Sequence, residues 1–334
     1  MKMPRRKFSA ALAAAAMLPA LSVPASAAAK ITVFDVPGDA GGTFANSINV
    51  KGAITGSWDD SNGASHGFVR SADGTITTFD APGAQGTTDA IAISDKGTVA
   101  GYYSDSNSII HGFVRLADGT ATSFDPQGST DTRATGIDAK GNIAGWYVDD
   151  NEVFHGYVRA RNGSITTFDP PGSTATVVND INSDGACIGE YIVDGVVHGF
   201  VRAADGAITT FDPSGSTNTE PYGINTAGSI TGYYADSNNT AHGFVRASDG
   251  TITVFDPANS GQTVPLSIDT KGVITGDYDD TNFVTHGFVR AADGTITAFD
   301  PPGSRETFAF SIDTKGAITG YFDGDGFQGF VRKP

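Results

Sequence analysis

The sequence predicts an all-β chain: a seven-bladed β-propeller of four-stranded blades, with the closing blade built from both chain ends. Three observations carry that prediction. A fifteen-residue phrase recurs at a regular interval: "HGFVRAADGTITAFD", His286 to Asp300, has a near-copy, "HGFVRAADGAITTFD", from His198 to Asp212. Each interval holds four short strand-like runs. The chain opens on one such run by itself and closes on three.

The repeat comes first. The leading residue of the phrase is His66, His111, His155, His198, His242, His286 and finally Gln328, so the spacings are 45, 44, 43, 44, 44 and 42 residues. All six histidines occupy this one position. Self-similarity at a fixed period of this size marks a repeat architecture.

The strands follow from each unit's content. In the second, "TDAIAIS" ends at the turn "DKG", "TVAGYYS" and "DSNSII" follow, and "HGFVR", the turn "LADG" and "ATSFD" complete it. Gly, Asp and Asn punctuate β-branched and aromatic runs, which is hairpin chemistry, and nothing reads as a helix. Ile76 and Phe79 fall on opposite faces because side chains alternate along a strand. A sheet apolar on both faces needs a neighbour on each side, as in a propeller or an open solenoid. The ends favour the ring. "ITVFD", Ile31 to Asp35, is a fourth strand lacking its first three, and "FAFSID", "GAITGYF" and "QGFVR" are three strands lacking a fourth. Joining them completes a seventh blade, whereas an open stack has no reason to split a unit.

The first 27 residues stand apart. "MKMPRRK" is basic, "FSAALAAAAMLPAL" is a short apolar run, and "ASA" at Ala25 to Ala27 is a small-residue cleavage site. This reads as a secretory signal peptide over 1–27, followed by one propeller domain over 28–334, secreted or periplasmic. "RRKF" partly matches a twin-arginine signal, so either export route fits. No later run approaches the ~20 apolar residues of a membrane span. Losing Lys2, Arg5, Arg6 and Lys7 takes the formal net charge from −16 to −20. That acidity argues against nucleic acid or an anionic membrane as partner. The single cysteine, Cys187, has no internal disulfide partner and stands where sister units carry Ile or Val, so it reads as a core residue. A monomer is expected.

"GINTAGSITGYYADSNNTAHGFVR", Gly223 to Arg246, resembles the HAF-type extracellular repeat of bacterial secreted proteins, and the likeness spans nearly all of the mature chain. That repeat usually reads His-Ala-Phe followed by an aromatic, where this chain has "HGFVR". The resemblance implies export and propeller-like repeats, and it transfers no catalytic residue.

The repeated polar residues read as structural. A catalytic histidine is needed once, and six copies in six units cannot attend one substrate. Neutral imidazole both donates and accepts, so it can tie adjacent strands or loops. The Asp-bearing hairpins before each histidine, such as Asp105 before His111, supply an expected partner. The arginines of "GFVR" are expected to brace the Asp of "FD", such as Asp80 and Asp125. Asp and Asn two apart in "DSN" at Asp60, Asp105 and Asp236, and again from Asp149 and Asp280, offer oxygens that suit calcium. They equally close tight turns by bonding their own backbone, and that reading is preferred, with no metal and no cofactor.

Function is sought where copies disagree. At one position of the first strand the units read Phe44, Asp89, Arg133, Val177, Glu220, Val264 and Phe308; two residues on, they read Asn46, Ile91, Thr135, Asn179, Tyr222, Leu266 and Phe310. After the "TG" or "AG" glycine they read Ser57, Tyr102, Trp146, Glu190, Tyr233, Asp277 and Tyr321. The aromatics of this last set are read as core between blades. Phe44, Asn46, Asp89, Arg133, Asn179, Glu220, Tyr222 and Phe308 are the candidate ligand-binding residues, at the ring centre on the face carrying "FDPPGS" and "DSN". The expected function is a non-enzymatic exported binding or scaffold module for a glycan or protein, since no lone nucleophile stands out. The alternative is a polysaccharide-acting hydrolase or lyase, which needs two carboxylates such as Asp89 and Glu220 to face each other ~5–9.5 Å apart.

Overall fold

The computed structural model describes residues 29–334, and the expected signal peptide lies outside them. Every helix or strand among the described residues is a β-strand. The strands Gly42–Ile48, Ile54–Asp59, Ser65–Arg70 and Ile76–Phe79 pair antiparallel in chain order. Two tight turns on one side join them in pairs, and each is closed by a backbone bond: Gly52 N donates to Asn49 O at 2.8 Å, and Gly74 N to Ser71 O at 2.9 Å. Both glycines sit at positive φ, 77° and 97°, which an L side chain resists. The same four-strand meander repeats along the chain. At the end, Glu306–Ile312, Ile318–Asp323 and Phe327–Lys333 are joined by Lys30–Phe34, in register Ile31↔Arg332 and Val33↔Phe330.

Neighbouring meanders share few backbone bonds. Single parallel bridges link Ser65 to Thr87, Ile110 to Asp131 and Val197 to Asn218. Cohesion comes from apolar packing between the sheets. Phe79, Ala53 and Val69 of one meander pack with Ala90, Ile93, Val99 and Phe113 of the next. Ile76 points the other way, into a cluster with Ile54, Phe68, Ala317 and Val331. The alternation read from Ile76 and Phe79 is therefore realised, and each buried Phe or Ile stabilises by roughly 1.5–3 kcal/mol. Cys187 is fully buried in such a cluster, and burial pushes its thiol up to about 12.

The innermost strands are tied sideways by polar side chains. Asn49 Nδ2 donates to Ser94 O at 2.9 Å, Asn182 to Asn225 O at 3.0 Å, and Asn225 to Asp269 O at 2.9 Å. Between the two ends of the chain, Ile48 N donates to Ser311 Oγ at 3.3 Å.

The repeated arginines correct an expectation. Each guanidinium lies over the Phe of the previous meander's "FD", as Arg70 does over Phe34 at 4.7 Å and Arg332 over Phe299 at 5.0 Å. None bonds the Asp of "FD". The reason is position: Arg70 pairs with Ile76 at one end of its strand, while His66 and Asp80 stand at the other. Such stacking contributes about 0.5–2 kcal/mol.

Lys30–Phe34 covers the edge of Phe327–Lys333 and supplies Phe34 to Arg70. Deleting residues 1–35 should bare that edge, lower the melting temperature by several degrees and promote self-association, because an open strand edge recruits other chains. Size-exclusion chromatography and a thermal melt check this; a monomer with unchanged melting counts against it.

Candidate functional site

The histidines form a uniform rim. His66 Nδ1 is 2.7 Å from Asp80 Oδ1, and His111, His155, His198, His242 and His286 meet the matching Asp125, Asp169, Asp212, Asp256 and Asp300 at 2.7–2.8 Å. The expected partner was the preceding hairpin. Its Asp is in fact second: Asp60 and Asp105 lie 3.7 Å from the other ring nitrogen. An aromatic from the adjacent strand covers each imidazole, as Trp58 does His66 at 4.8 Å and Tyr191 does His198 at 5.4 Å. In the last meander Gln328 Nε2 donates to Asp35 Oδ2 at 2.8 Å, so glutamine takes the same place. Burial works against the His66 cation, but Asp80 and Asp60 outweigh it and the pKa rises.

The acidic hairpins are closed internally. Asp60 Oδ1 accepts from Asn62 N and Ala64 N at 2.8 and 2.9 Å, and Asp105, Asp149, Asp236 and Asp280 repeat the pattern.

The variable positions gather at one end of a central channel, and a backbone irregularity explains how. Each innermost strand carries a β-bulge, for example between Ala45 and Ser47 and between Pro221 and Gly223. A bulge leaves one residue unpaired and re-aims its side chain. The skipped residues are Asn46, Ile91, Thr135, Asn179, Tyr222, Leu266 and Phe310, and they line a cavity of about 340 Å³. The other end of the channel is walled by the repeated Ile48-Asn49, Ile181-Asn182 and Ile312-Asp313 pairs, which hardly vary.

Just outside the bulges lie two more variable rings, paired across strands. Phe44 is opposite Ser57, Asp89 opposite Tyr102, Arg133 opposite Trp146, Glu220 opposite Tyr233 and Phe308 opposite Tyr321. The outer member also meets the next meander's inner member. Arg133 lies over Tyr102 at 4.8 Å and over Trp146 at 5.1 Å, and Phe44 meets Tyr321 at 5.1 Å. These aromatics are half-buried, rather than sealed core.

Of the eight candidate residues, Asn46, Asn179 and Tyr222 line the cavity, and Phe44, Asp89, Arg133, Glu220 and Phe308 lie just outside it; they do not form one network. Arg133 donates to Asp131 at 3.3 Å through Nε and Nη2. Glu220 accepts from Tyr222 Oη at 2.7 Å and Asn218 Nδ2 at 2.8 Å. Asn179 Nδ2 donates to Glu190 Oε2 at 2.6 Å and to Pro221 O at 2.8 Å, while Asn46 braces Ala90 O at 3.0 Å. Burial raises the Asp89 carboxyl, and the Ser57 and Tyr102 hydroxyls offset only part of that. The acid whose pKa Glu220 influences is Glu190, whereas Asp89 responds to Asp59 and Arg133.

Three carboxyls outside the candidates read from the sequence belong to this region. Burial, reinforced by the Glu220 charge, pushes Glu190 up to about 8; burial with Asp279 does the same for Asp277. Asp180, in the channel wall, is pushed up to about 7 by burial although it accepts from Ile181 N and Ile224 N at 2.8 and 3.0 Å. The signal was present: matching positions hold Ser47, Ala92, Gly136, Gly223, Ser267 and Ser311 for Asp180, and mostly aromatics for the other two.

Neither a family model nor a curated protein sequence matches the chain. Solved structures do. Virginiamycin B lyase from Staphylococcus aureus, crystallised as a catalytically inactive variant with quinupristin, aligns at a TM-score of 0.63 and 16% identity over 92% of this chain and 99% of that one. A streptogramin B lyase aligns at 0.60 and 15% over 92% and 98%. The β-propeller domain of the trilobed protease from Pyrococcus furiosus aligns at 0.60 and 10% over 86% and 95%. The fold is a β-propeller. At these identities the likeness is one of architecture and carries no residue roles.

Two outcomes are expected from this geometry. His198→Gln should leave stability nearly unchanged, since glutamine already serves at position 328, and His198→Ala should cost about 1 kcal/mol for a partly exposed bond; equal losses in urea melts would contradict bracing. Asp180, Glu190 and Asp277 keep protons that the unfolded chain has released above its ordinary values near 3.8 and 4.5. The folded state then binds more protons, so their contribution favours folding least at high pH, and stability should fall as pH rises from about 4 to 8. Glu190→Gln combined with Asp277→Asn should flatten that slope in urea midpoints taken at about pH 5 and about pH 8.5.

Proposed function

We propose that the chain is an exported, non-enzymatic binding module of the HAF-repeat kind, a seven-bladed propeller whose closing blade uses Lys30–Phe34, and that it holds its ligand at the variable mouth. One observation carries this reading: residues that differ between repeats are contiguous in space, while the opposite end of the channel repeats itself. Fold-maintaining positions have no reason to diverge at one end only. Support for seven blades comes from the seven bulged strands and from the bond between Ile48 and Ser311. The surrounding face is also adhesive. Five of the eight exposed large apolar side chains among the described residues, Ile109, Phe154, Val196, Phe283 and Phe327, stand on or beside its hairpins. Isolated apolar residues are ordinary on a surface, but a crown of them around a polar mouth suits a binding face.

The mouth offers two polar sectors. Arg133 presents a planar donor fork steadied by Tyr102 and Trp146, and Glu220 presents an acceptor steadied by Tyr222. Together they suit a polar ligand such as a glycan or an extended peptide. The second reading, a polysaccharide hydrolase or lyase, draws on the Glu190 and Glu220 pair. A carboxyl kept protonated near neutrality beside a second carboxylate is a general-acid arrangement.

Arg133→Ala with Glu220→Gln should abolish binding on glycan and peptide arrays while the chain stays folded, its stability lowered by about 0.5–2 kcal/mol through the lost Arg133 stacking. Changes in the "ADG" turns, such as Asp205→Ala, should leave binding intact. The opposite pattern would place the ligand on the wrong face for this proposal. Turnover of an arrayed glycan that vanishes with Glu190→Gln would favour the enzymatic reading.

A further inference from the structure

Asp277 is a mouth carboxyl with neither a hydrogen-bond donor nor a positive charge beside it among the described residues. Glu190 has Asn179, Glu220 has Tyr222 and Asn218, and Asp131 has Arg133, while the Ser57 and Tyr102 hydroxyls and the Arg133 charge act to favour the Asp89 carboxylate. Asp277 accepts a hydrogen bond from no described residue; burial and the like charge of Asp279 act on it unopposed. The two arginines of this face are already engaged, Arg133 with Asp131 and Arg305 with Asp323 and the Gly324 carbonyl. An acid without a donor in a desolvated place is costly unless something else supplies the charge.

What faces Asp277 is aromatic. The outer ring member of each meander meets the inner member of the next, as Tyr102 meets Arg133 and Tyr321 meets Phe44. By that same step Asp277, paired with Val264, lies on the strand packed against the one that carries Phe308, and after burial its charge is what raises the Tyr321 phenol. Around Tyr321 the rings form a wall: Phe308 at 5.1 Å, Phe310 stacked at 5.3 Å with 22° between planes, and Phe44 edge-on at 5.1 Å. Phe310 continues the wall into the channel beside Leu266. Asp277 itself remains partly open to the mouth.

An aromatic face attracts a cation, and an unpaired carboxylate at its margin fixes where the positive charge sits. We propose that Asp277 with Phe44, Phe308, Phe310 and Tyr321 forms a site for an organic ammonium group, its apolar substituents on the rings and Asp277 as counter-ion. The inference rests on the reading that the variable mouth is the binding end, and it names the chemistry one sector selects. Metal ions fit less well, because one carboxylate and four rings supply too few oxygens.

Calorimetry on the full chain tests it with two probe pairs. Choline is set against its neutral isostere 3,3-dimethylbutan-1-ol, and a capped lysine peptide against the same peptide with norleucine. Choline or the lysine peptide should bind, with the neutral member of its pair at least tenfold weaker. The tighter of the two cations tells whether the ammonium is free or borne on a chain. Asp277→Asn should weaken the cation at least tenfold, and so should Phe308→Val. Both variants should fold: the first removes a desolvated acid, and the second installs the residue found at the matching Val177 and Val264. A thermal melt confirms this. No cation binding at millimolar concentration, equal binding of the neutral isosteres, or indifference to Asp277→Asn would each overturn the ammonium site. An array ligand lost with Arg133→Ala and Glu220→Gln but indifferent to Asp277→Asn would overturn this inference alone, whereas binding mapped to the "ADG" turns would overturn the mouth itself.

Discussion

The structure depends on a close approach between the first two strands of every meander. The second-strand glycine of each repeat (Gly56, Gly101, Gly145, Gly189, Gly232, Gly276, Gly320), in "TG", "AG" or, at Gly189, "IG", lies against the carbonyl of Phe44, Asp89, Arg133, Val177, Glu220, Val264 or Phe308, and a Cβ there would run into that oxygen. Removing the Cβ lets the backbone kink inward, and the bulge one residue later relieves the register. One glycine thus sets the path of the innermost strand. It also decides that the skipped residue enters the channel and that the residues flanking the contact meet across strands. Fold and mouth share one cause.

The rim is determined by different means. His, Asp and an overlying aromatic form one unit on the variable face, and Arg over Phe forms another near the opposite face. Both repeat around the molecule, and both join residues whose spacing the hairpin registers dictate. With apolar clusters between sheets and these units outside, the shape does not rely on the three variable rings. Those rings are free to carry charge, including carboxyls held well above their usual range. Stability distributed over many similar interfaces tolerates a few unfavourable groups at one end of the channel.

Much of the architecture was legible because it was written repeatedly. The 44-residue period, the turn glycines and the alternation of Ile76 with Phe79 each point to stacked four-strand sheets. Side-chain partners were less legible. The Arg–Asp pairing that the sequence suggests fails because counting along a strand gives the face of a side chain but not which end of the strand a neighbour reaches. The hairpin Asp that the sequence suggests for His66 is the farther of its two, and the nearer one follows the outer strand. In both cases the antiparallel register decides, and register depends on turn closure as well as composition.

The mouth shows the complementary limit. Of the three variable sets read from the sequence, one lines the channel and the other two pair just outside it, since variation by itself locates what the fold leaves free. Their chemistry needed three dimensions. Glu190 and Asp277 read as replacements for an aromatic, and only the step from each sheet to the next places one beside Glu220 and the other near Tyr321. The same substitution type then has two physical results. Beside Glu220, a carboxyl keeps its proton and takes a donor from Asn179. Against aromatic rings, it has neither donor nor counter-charge, and the neighbourhood that disfavours its ionisation is the one that would welcome a cation. A β-propeller of near-identical four-strand repeats acquires direction in this way, with an aromatic and acidic sector on one side of the channel and the Arg133 fork on another.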